Sequence, residues 1–340
     1  MTGPDQGHVG LRLRQELLSV LRTSLRGATK VAIVDDPYSA NAGDAAIWLA
    51  ERGLLRELNI EVQYVADAAR YNKEALEKAV PTGPILLHGG GNFGDFWPEH
   101  HILRERVLRD FPTRRIIQLP QSIAYRSGKP VHDLPQHPDF QVLVREPRSL
   151  ELAREASLTA LLVPDVVLAL PPWRQKVPRR YGVVCLLRTD HEATGIRETF
   201  ARSSIVQTGD AVITDWGMPP LTRAVWVSAK TPARISRRLT PTLTASRQAQ
   251  RFTMAGYDAL AEICVASAQR QLARAEIVVT DRLHAHILAL RAGQVSIALD
   301  NSYGKLSGVY QAYSRHFPQS YLASTPDEAL ALAERLRRRS

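Results

Sequence analysis

Several features that define special classes of protein are scarce in this chain of 340 residues. Its two cysteines, Cys185 and Cys264, cannot form a disulfide scaffold and lack the spacing of metal ligands. The longest apolar run, residues 161–170, contains Pro164 and Asp165 and falls far short of the roughly 20 residues that cross a bilayer. Arginines also interrupt any apolar core that a signal peptide would need. We therefore expect a cytoplasmic protein of a reducing compartment.

The remaining composition is that of a folded protein with an excess of positive charge. With 44% hydrophobic and 23% charged residues, the chain is neither disordered nor a coiled coil, and its length suggests two domains. Lysine and arginine number 44 against 34 aspartate and glutamate, so the formal net charge is +10. Such a charge predicts nucleic acid, an anionic membrane or a phosphorylated substrate as partner. Because the chain has no zinc finger, RNA-recognition signature or alternation of basic and aromatic residues, we expect no nucleic-acid partner.

Both ends of the chain are basic and helical in pattern. In the predicted N-terminal helix, residues 1–29, four leucines share one face and arginines occupy the rest of the surface. These leucines are Leu11, Leu18, Leu21 and Leu25. Two interpretations stay open: the leucines pack on the body of the protein, or the helix lies on an anionic membrane. Residues 326–340, which end in a run of arginines, predict a second basic helix.

Between these ends, short β-rich runs alternate with helical patterns, which is typical of parallel sheets covered by helices on both faces. A proline-rich basic stretch at residues 170–180 divides the pattern in two. We predict an α/β fold with two doubly wound Rossmann-like domains, residues 30–172 and 173–325, facing a ligand-binding cleft. The predicted strands are residues 31–34, 62–65, 85–88, 115–119, 142–145, 181–187, 212–214, 277–280 and 295–299.

The first motif, residues 41–47, directly follows the first predicted strand. Gly43 permits unusual backbone angles, and Asp44 stands where the N-cap of a helix belongs. Asn41 and Asp44 could serve only as turn and cap residues. Their position at the carboxyl end of a strand instead favours a place in the ligand site.

A glycine-rich segment, residues 88–97, follows the third predicted strand and formally contains the pattern Gly-x-Gly-x-x-Gly. A dinucleotide site would use the first strand and place an acid about 20 residues further on. The next strand instead ends at residues 120–122, which contain no acid, so we reject that interpretation. Glycines allow close approach of the backbone to a ligand, and Asn92 and Asp95 supply polar groups beside it.

The second half of the pattern opens with a strand that delivers Arg188 at its carboxyl end. A guanidinium in that position suits bidentate capture of a carboxylate or a phosphate. The alternative is an arginine that only pairs with Asp190 or Glu192. The motif by itself does not decide between the two.

Further cations stand at the next strand ends of the second half. Arg282 and His284 begin a helix, where free backbone N–H groups attract anions, and His284 can exchange a proton near neutral pH. His286 lies on a different face of that helix, so the two histidines do not make an obvious metal site. Lys305 lies in a loop rich in glycine and serine that suits a phosphate. Cations in the second half and polar groups in the first predict an anionic donor facing a sugar-like acceptor.

Taken together, these motifs resemble those of the polysaccharide pyruvyltransferase family, in particular its bacterial exopolysaccharide branch. The resemblance covers about residues 30–315. It rests on residues 41–47, 88–97, 119–122, 187–192, 215–216, 280–286 and 300–307. It implies a fold similar to the two-domain glycosyltransferase-B architecture. It also implies transfer of pyruvate from phosphoenolpyruvate onto two hydroxyls of one sugar, with release of phosphate.

The resemblance also implies roles for single residues. The family's Arg-Leu-His motif, associated with donor binding and catalysis, is matched by residues 282–284, and a further donor arginine is assigned to Arg188 by position. The predicted donor-binding residues are Arg188, Arg282, Leu283, His284 and Lys305. The predicted acceptor-binding residues are Asn41, Asp44, Asn92, Asp95 and Gln121. We expect His284 to act as general acid and Asp44 or Asp95 as base, without a metal or cofactor.

The expected acceptor is a sugar in an exopolysaccharide, a glycolipid or a lipid-linked repeat unit, reached from the cytoplasmic face of the membrane. Two other functions stay open from the sequence. One is a nucleotide-sugar glycosyltransferase of similar architecture. The other is a non-catalytic basic protein that binds a membrane or nucleic acid through its termini.

Overall fold

A computed structural model describes residues 4–35, 40–130, 134–190, 193, 195–231, 246–300 and 304–338 of the chain. In the first half, a long N-terminal helix precedes strands that alternate with helices. Its helices are α1 (Pro4–Leu25), α2 (Ala42–Glu57), α3 (Lys73–Ala79), α4 (Pro98–Asp110) and α5 (Pro147–Glu155). Its strands are β1 (Lys30–Val34), β2 (Glu61–Ala66), β3 (Ile85–Leu87), β4 (Gly90–Gly94), β5 (Ile116–Ala124), β6 (Phe140–Val144) and β7 (Thr159–Leu162).

The second half repeats the alternation after a short 3₁₀ helix, Val166–Ala169. Its strands are β8 (Val183–Leu186), β9 (Ala211–Thr214), β10 (Ile277–Thr280), β11 (Val295–Leu299) and β12 (Ser320–Ala323). Its described helices are α6 (Arg197–Ala201), α7 (Ser204–Gln207), α8 (Pro220–Ala229), α9 (Arg247–Leu272), α10 (Leu283–Arg291), α11 (Lys305–Ala312) and α12 (Pro326–Arg337).

The strands form two parallel sheets, as the alternating pattern predicted. The first sheet has seven strands in the order β2-β1-β3-β5-β6-β7, with β4 paired beside β5. The second has five strands in the order β12-β11-β10-β8-β9. In the first sheet the chain proceeds from β1 towards one edge of the sheet and from the neighbouring β3 towards the other edge. In the second sheet β8 and β10 are related in the same way. A crevice opens at the carboxyl ends of such strands, and this is where α/β proteins bind ligands.

The two halves share a hydrophobic core. Helix α9 belongs to the second half by sequence but packs against α2 and β2 of the first. Gln250 of α9 accepts a hydrogen bond from the backbone N–H of Val65, and Asp258 accepts one from the indole N–H of Trp48 at 2.8 Å. The buried apolar residues of α2, α9 and α10 belong to one cluster. This helix therefore fixes one sheet against the other.

The glycine-rich segment forms a strand, β4, where the sequence predicted a loop approaching a ligand. Gly94 has a φ of +125°, and a Cβ on it would lie 1.8 Å from the carbonyl oxygen of Ala124 in β5. A Cβ on Gly89 would lie 2.5 Å from the carbonyl oxygen of Pro120. The close approach of β5 therefore requires these two glycines.

The N-terminal helix α1 packs its leucines on the body of the protein. Leu18, Leu21 and Leu25 of the predicted face are buried, whereas Leu11 is 53% exposed. The helix contacts the 3₁₀ helix Val166–Ala169. Because this apolar face is occupied by protein, contact with an anionic membrane stays a prediction that rests on the arginines alone. Among the described residues, no helix is both long enough and apolar enough to cross a membrane.

We expect Leu17→Ala to lower the free energy of unfolding by about 2–5 kcal/mol, because Leu17 is fully buried and its loss leaves a cavity. The matched change Leu11→Ala, on the exposed side of the same helix, should alter it by no more than about 0.5 kcal/mol. Urea unfolding of both variants gives the comparison. Equal effects would contradict the packing of α1 described above.

Candidate active site

A cavity of about 570 Å³ lies between the carboxyl ends of the two sheets. Residues that follow β1, β3, β6, β8 and β10 all contribute to its lining. The predicted site residues that line it are Asn41, Asp44, Asn92, Arg188, Arg282, Leu283, His284 and Lys305. The topology therefore brings together side chains that are separated by up to 264 positions in the sequence, from Asn41 to Lys305.

The two predicted donor arginines both donate hydrogen bonds to one carboxylate, that of Asp190. Arg188 Nε donates to Asp190 Oδ1 at 2.8 Å, and Arg282 Nη2 donates to Asp190 Oδ2 at 3.1 Å. The backbone N–H of Arg188 donates to the buried Asp281 at 2.9 Å, which fixes the end of the strand. Arg188 thus pairs with Asp190, as one interpretation of the sequence predicted, and it also lines the cavity. Capture of an anion by Arg188, the other interpretation, stays a prediction.

A second carboxylate, Asp215, holds Arg282 in place. Arg282 Nη2 donates to Asp215 Oδ2 at 2.8 Å, and the same oxygen accepts from the hydroxyl of Thr189 at 2.8 Å. Burial opposes the charge on Asp215, but the hydrogen bonds and charge of Arg282 outweigh it and lower the pKa of that carboxyl. Asp190 and Asp215 therefore compensate the two guanidinium charges and fix their orientation.

His284 joins the two halves of the protein through a buried carboxylate. Its Nε2 lies 3.4 Å from Asp165 Oδ2 and 3.2 Å from Nη1 of Arg145. Asp165 is 1% exposed, and Arg145 donates to it at 2.8 Å. Burial disfavours the charge on Asp165, but His284 and Arg145 more than offset this and hold its pKa well below its usual range. An anionic Asp165 can orient the imidazole.

Arg145 is a cavity residue that the sequence reasoning missed. It follows β6, and its Nε donates to Ser122 Oγ at 2.8 Å. A Cβ placed on Gly91 would lie 3.4 Å from Arg145 Nη2 and 3.5 Å from Lys305 Nζ, so these two cations border the same small space. The signal was present, because Arg145 ends a predicted strand in the same way as Arg188 does.

Helices from both halves begin at the cavity and touch each other there. Asn41 caps α2 by accepting a hydrogen bond from the N–H of Gly43 at 2.9 Å. Gly43 lies so close to His284 that a Cβ on it would be 2.4 Å from the imidazole Nδ1. The first turns of α2 and α10 therefore meet at the cavity, and the positive ends of the two helix dipoles favour an anion there.

The acceptor-side lining contains a polar cluster that the sequence predicted only in part. Asn92 Nδ2 donates to Asp35 Oδ2 at 3.2 Å, and His100 Nδ1 lies 2.5 Å from Asp35 Oδ1. Asp35 directly follows β1 and has a φ of +76°, a backbone conformation that is strained for a residue with a side chain. Asp35 and His100 were missed, although an acid directly after the first strand was a usable signal.

Two predicted acceptor residues do not reach the cavity. Asp95 accepts a hydrogen bond from the backbone N–H of Arg126 at 2.9 Å and does not line the cavity, because β4 carries it beyond the cavity edge. Gln121 is fully buried and donates to Asn92 Oδ1 at 2.6 Å, so it supports Asn92 from behind. Glu192 and residues 301–303 of the predicted motifs lie outside the described residues.

The family model for polysaccharide pyruvyl transferase matches residues 41–238 and 265–303 of the chain. The chain belongs to this family. Pyruvyl transferase 1 of Schizosaccharomyces pombe is 32% identical over 313 residues, which cover 84% of this chain and 70% of that protein. The putative pyruvyl transferase EpsO of Bacillus subtilis is 26% identical, with 94% of this chain and 95% of that protein covered.

A solved structure shares the fold of this pyruvyl transferase family member. It is that of a functionally uncharacterized protein of Klebsiella pneumoniae, which superposes with a TM-score of 0.58 at 17% identity and covers 92% of this chain. The family match establishes that the protein is a transferase that places a pyruvyl group on a polysaccharide. The resemblance of its motifs to this family predicted as much.

His286, two residues after His284, has a structural role in the transferase. It is fully buried, with Nδ1 2.8 Å from Ser296 Oγ and Nε2 2.9 Å from Ser314 Oγ. Two hydroxyls can serve one donor and one acceptor nitrogen, which is the pattern of a neutral imidazole. Burial lowers the pKa of His286 to about 3.

We expect Gly43→Ala to lower turnover at least about tenfold, because the new methyl group forces His284 away from Asp165. Gly53→Ala on the same helix is the matched control, since a Cβ there meets nothing within 4 Å. The control should keep full turnover and gain a little stability, because alanine favours a helix. Initial rates and thermal unfolding of both variants separate the two effects. Full activity of Gly43→Ala would show that the position of His284 does not matter.

His286 should also make the folded protein sensitive to mild acid. In the unfolded chain the group is protonated below pH 6.5 or so, whereas in the folded protein it stays neutral until about pH 3. The unfolded state therefore binds more protons as the pH falls, and the free energy of unfolding decreases.

From pH 7.5 to pH 5.5, His286 alone should lower the free energy of unfolding by about 1 kcal/mol. Urea unfolding at both pH values should show a smaller decrease for His286→Gln, whose side chain has no charge to gain. Parallel decreases in the two proteins would contradict the buried neutral imidazole.

Proposed function

We propose that this transferase moves pyruvate from phosphoenolpyruvate onto two hydroxyls of one sugar and releases phosphate. The acceptor sugar would belong to an exopolysaccharide, a glycolipid or a lipid-linked repeat unit at the cytoplasmic face of the membrane. The observation that carries the proposal is a single cavity with four cationic side chains and His284 on one part of its lining. Asn41, Asp44 and Asn92 belong to the same lining.

The donor site would use two pairs of cations. Phosphoenolpyruvate carries a carboxylate and a phosphate on one three-carbon skeleton, so it needs two anion sites close together. Arg188 and Arg282 already pair their Nε–Nη2 edges with Asp190 and Asp215, so they would bind the carboxylate through their Nη1 groups. Lys305 and Arg145, which meet beside Gly91, would bind the phosphate. Because Arg145 lies next to His284, a donor bound there would have its reacting carbons close to the imidazole.

The reaction requires that the methylene carbon of the donor gains one proton and that the two sugar hydroxyls lose one proton each. His284 would give a proton to the methylene carbon of the donor, which becomes a methyl group while the first sugar hydroxyl adds to the neighbouring carbon. Asp44 would accept the proton of that hydroxyl. The second hydroxyl then displaces phosphate from the same carbon and closes the ketal, and its proton leaves with the phosphate. Positioned proton transfer of this kind contributes about 10²–10⁴-fold to a rate.

No cofactor enters this scheme, because phosphoenolpyruvate brings both the transferred group and the leaving group. Asp165 would keep the imidazole of His284 oriented before transfer. Asp35 and His100 would help to orient the acceptor through Asn92.

The decisive experiment is incubation with phosphoenolpyruvate and a panel of simple β-glycosides. We expect phosphate release that depends on a glycoside, and a product that has gained a pyruvyl group by mass spectrometry. His284→Gln should reduce the rate by about 10²–10⁴-fold, because it removes the proton donor. His316→Gln, on an exposed residue away from the cavity, is the matched control and should keep the rate. Consumption of a sugar nucleotide with indifference to phosphoenolpyruvate would instead show a glycosyltransferase.

A further inference from the structure

A second, smaller pocket of about 270 Å³ opens beside the active-site cavity. Trp216 lines both, so the two spaces are neighbours across one indole ring. We propose that this pocket binds the apolar aglycone of the acceptor, an alkyl or aryl group attached to the sugar that receives pyruvate. The inference rests on the proposed function, since it assigns a further subsite to the same acceptor.

The pocket is adjacent to the part of the active site assigned to the sugar. Ala42 at the start of α2 lines the small pocket, while Asn41 and Asp44, immediately before and after it, line the large cavity. A sugar that contacts Asn41 and Asp44 therefore has its next chemical group at the entrance of the small pocket. Trp216 stands at that boundary and is half-buried.

The lining is apolar and includes two indole rings. Its main members are Trp216, Met218, Trp226, Val227, Cys264 and Ala268. Arg223, an exposed residue of α8, also lines the pocket and carries a charge. Burial, and to a smaller degree the charge of Asp44, raises the pKa of the Cys264 thiol to about 12, so it stays uncharged. Binding of an apolar group to such a surface is favourable, because the group is removed from water.

The lining also distinguishes an aglycone from a nucleotide. Among the described residues, no Asn, Gln, Asp, Glu or Ser side chain lines the pocket and could bind the edge of a base. Nucleoside recognition depends on such groups, whereas an alkyl or aryl group needs only area and shape. The pocket therefore fits the apolar end of a glycoside acceptor.

The test compares two acceptors that differ only in the aglycone, the octyl and the methyl β-glycoside of a sugar that the panel identifies. Each methylene buried from water favours binding about fourfold, so the KM for the octyl glycoside should be at least about tenfold lower. Val227→Trp fills the pocket and should bring the two KM values together. Val225→Trp is the matched control, because two positions along a helix place it on nearly the opposite face of α8.

A second pair of variants tests the pocket in case the bulky Val227→Trp variant misfolds. Val227→Asp places a charge in the pocket without filling it and should also abolish the octyl preference, whereas Val225→Asp should keep it. Thermal unfolding of the four variants shows whether they are folded. An octyl preference that survives in both Val227 variants, or no preference in the unaltered protein, would overturn the subsite.

Calorimetric titration of octyl and methyl glycosides without phosphoenolpyruvate separates this inference from the proposed reaction. Octyl-selective binding that Val227→Trp removes, together with no phosphate release from phosphoenolpyruvate, would support the pocket and refute the proposed donor. Phosphate release with equal binding of the two glycosides would support the donor and refute the pocket. Tighter binding of a nucleoside phosphate at this pocket would replace the aglycone with a nucleotide.

Discussion

The candidate active site depends on one buried carboxylate, Asp165, that an arginine and a histidine share. Asp165 comes from the first half of the chain and is almost fully excluded from water, so its charge is tolerable only while Arg145 and His284 remain beside it. Arg145 belongs to the first half and His284 to the second. The same contact that compensates the charge therefore also holds the two sheets at the distance that closes the cavity. Gly43 contributes to this because only a residue without a side chain lets α2 approach the imidazole.

Other charged side chains of the cavity are also compensated by neighbouring groups of opposite charge. Arg188 and Arg282 would repel each other if they stood alone, but Asp190 lies between them and Asp215 neutralises the second. Such pairs add little net stability when their desolvation is counted, yet they fix the direction of each guanidinium fork. The result is a rigid set of donors that does not have to reorganise when an anion arrives, which is the condition for effective electrostatic stabilisation.

A polysaccharide pyruvyl transferase must bind two unlike molecules, and the lining of the candidate site combines unlike groups. The cations and His284 gather where the ends of β6, β8 and β10 converge, whereas Asp35, Asn92 and His100 form a separate hydrogen-bonded group near the end of β1. The apolar pocket next to Trp216 adds a third environment with different chemistry. Charge, hydrogen bonding and apolar area thus occupy neighbouring parts of one cleft, each suited to a different part of the substrates.

The sequence by itself determined the alternation of strands and helices, because periodicity and apolar runs are local properties that survive without tertiary contacts. It also indicated Arg188, Arg282, His284 and Lys305, since each stands at the carboxyl end of a strand. Only the tertiary structure decided which side chains meet. Asp165 looked like an interruption of an apolar run, and its role appears only when β6 and α10 bring an arginine and a histidine to it. Asp95 looked like a site residue, but the pairing of β4 with β5 directs it to a backbone N–H elsewhere. Contacts of this kind depend on the register of paired strands and the packing of helices, and no local pattern in the chain encodes them.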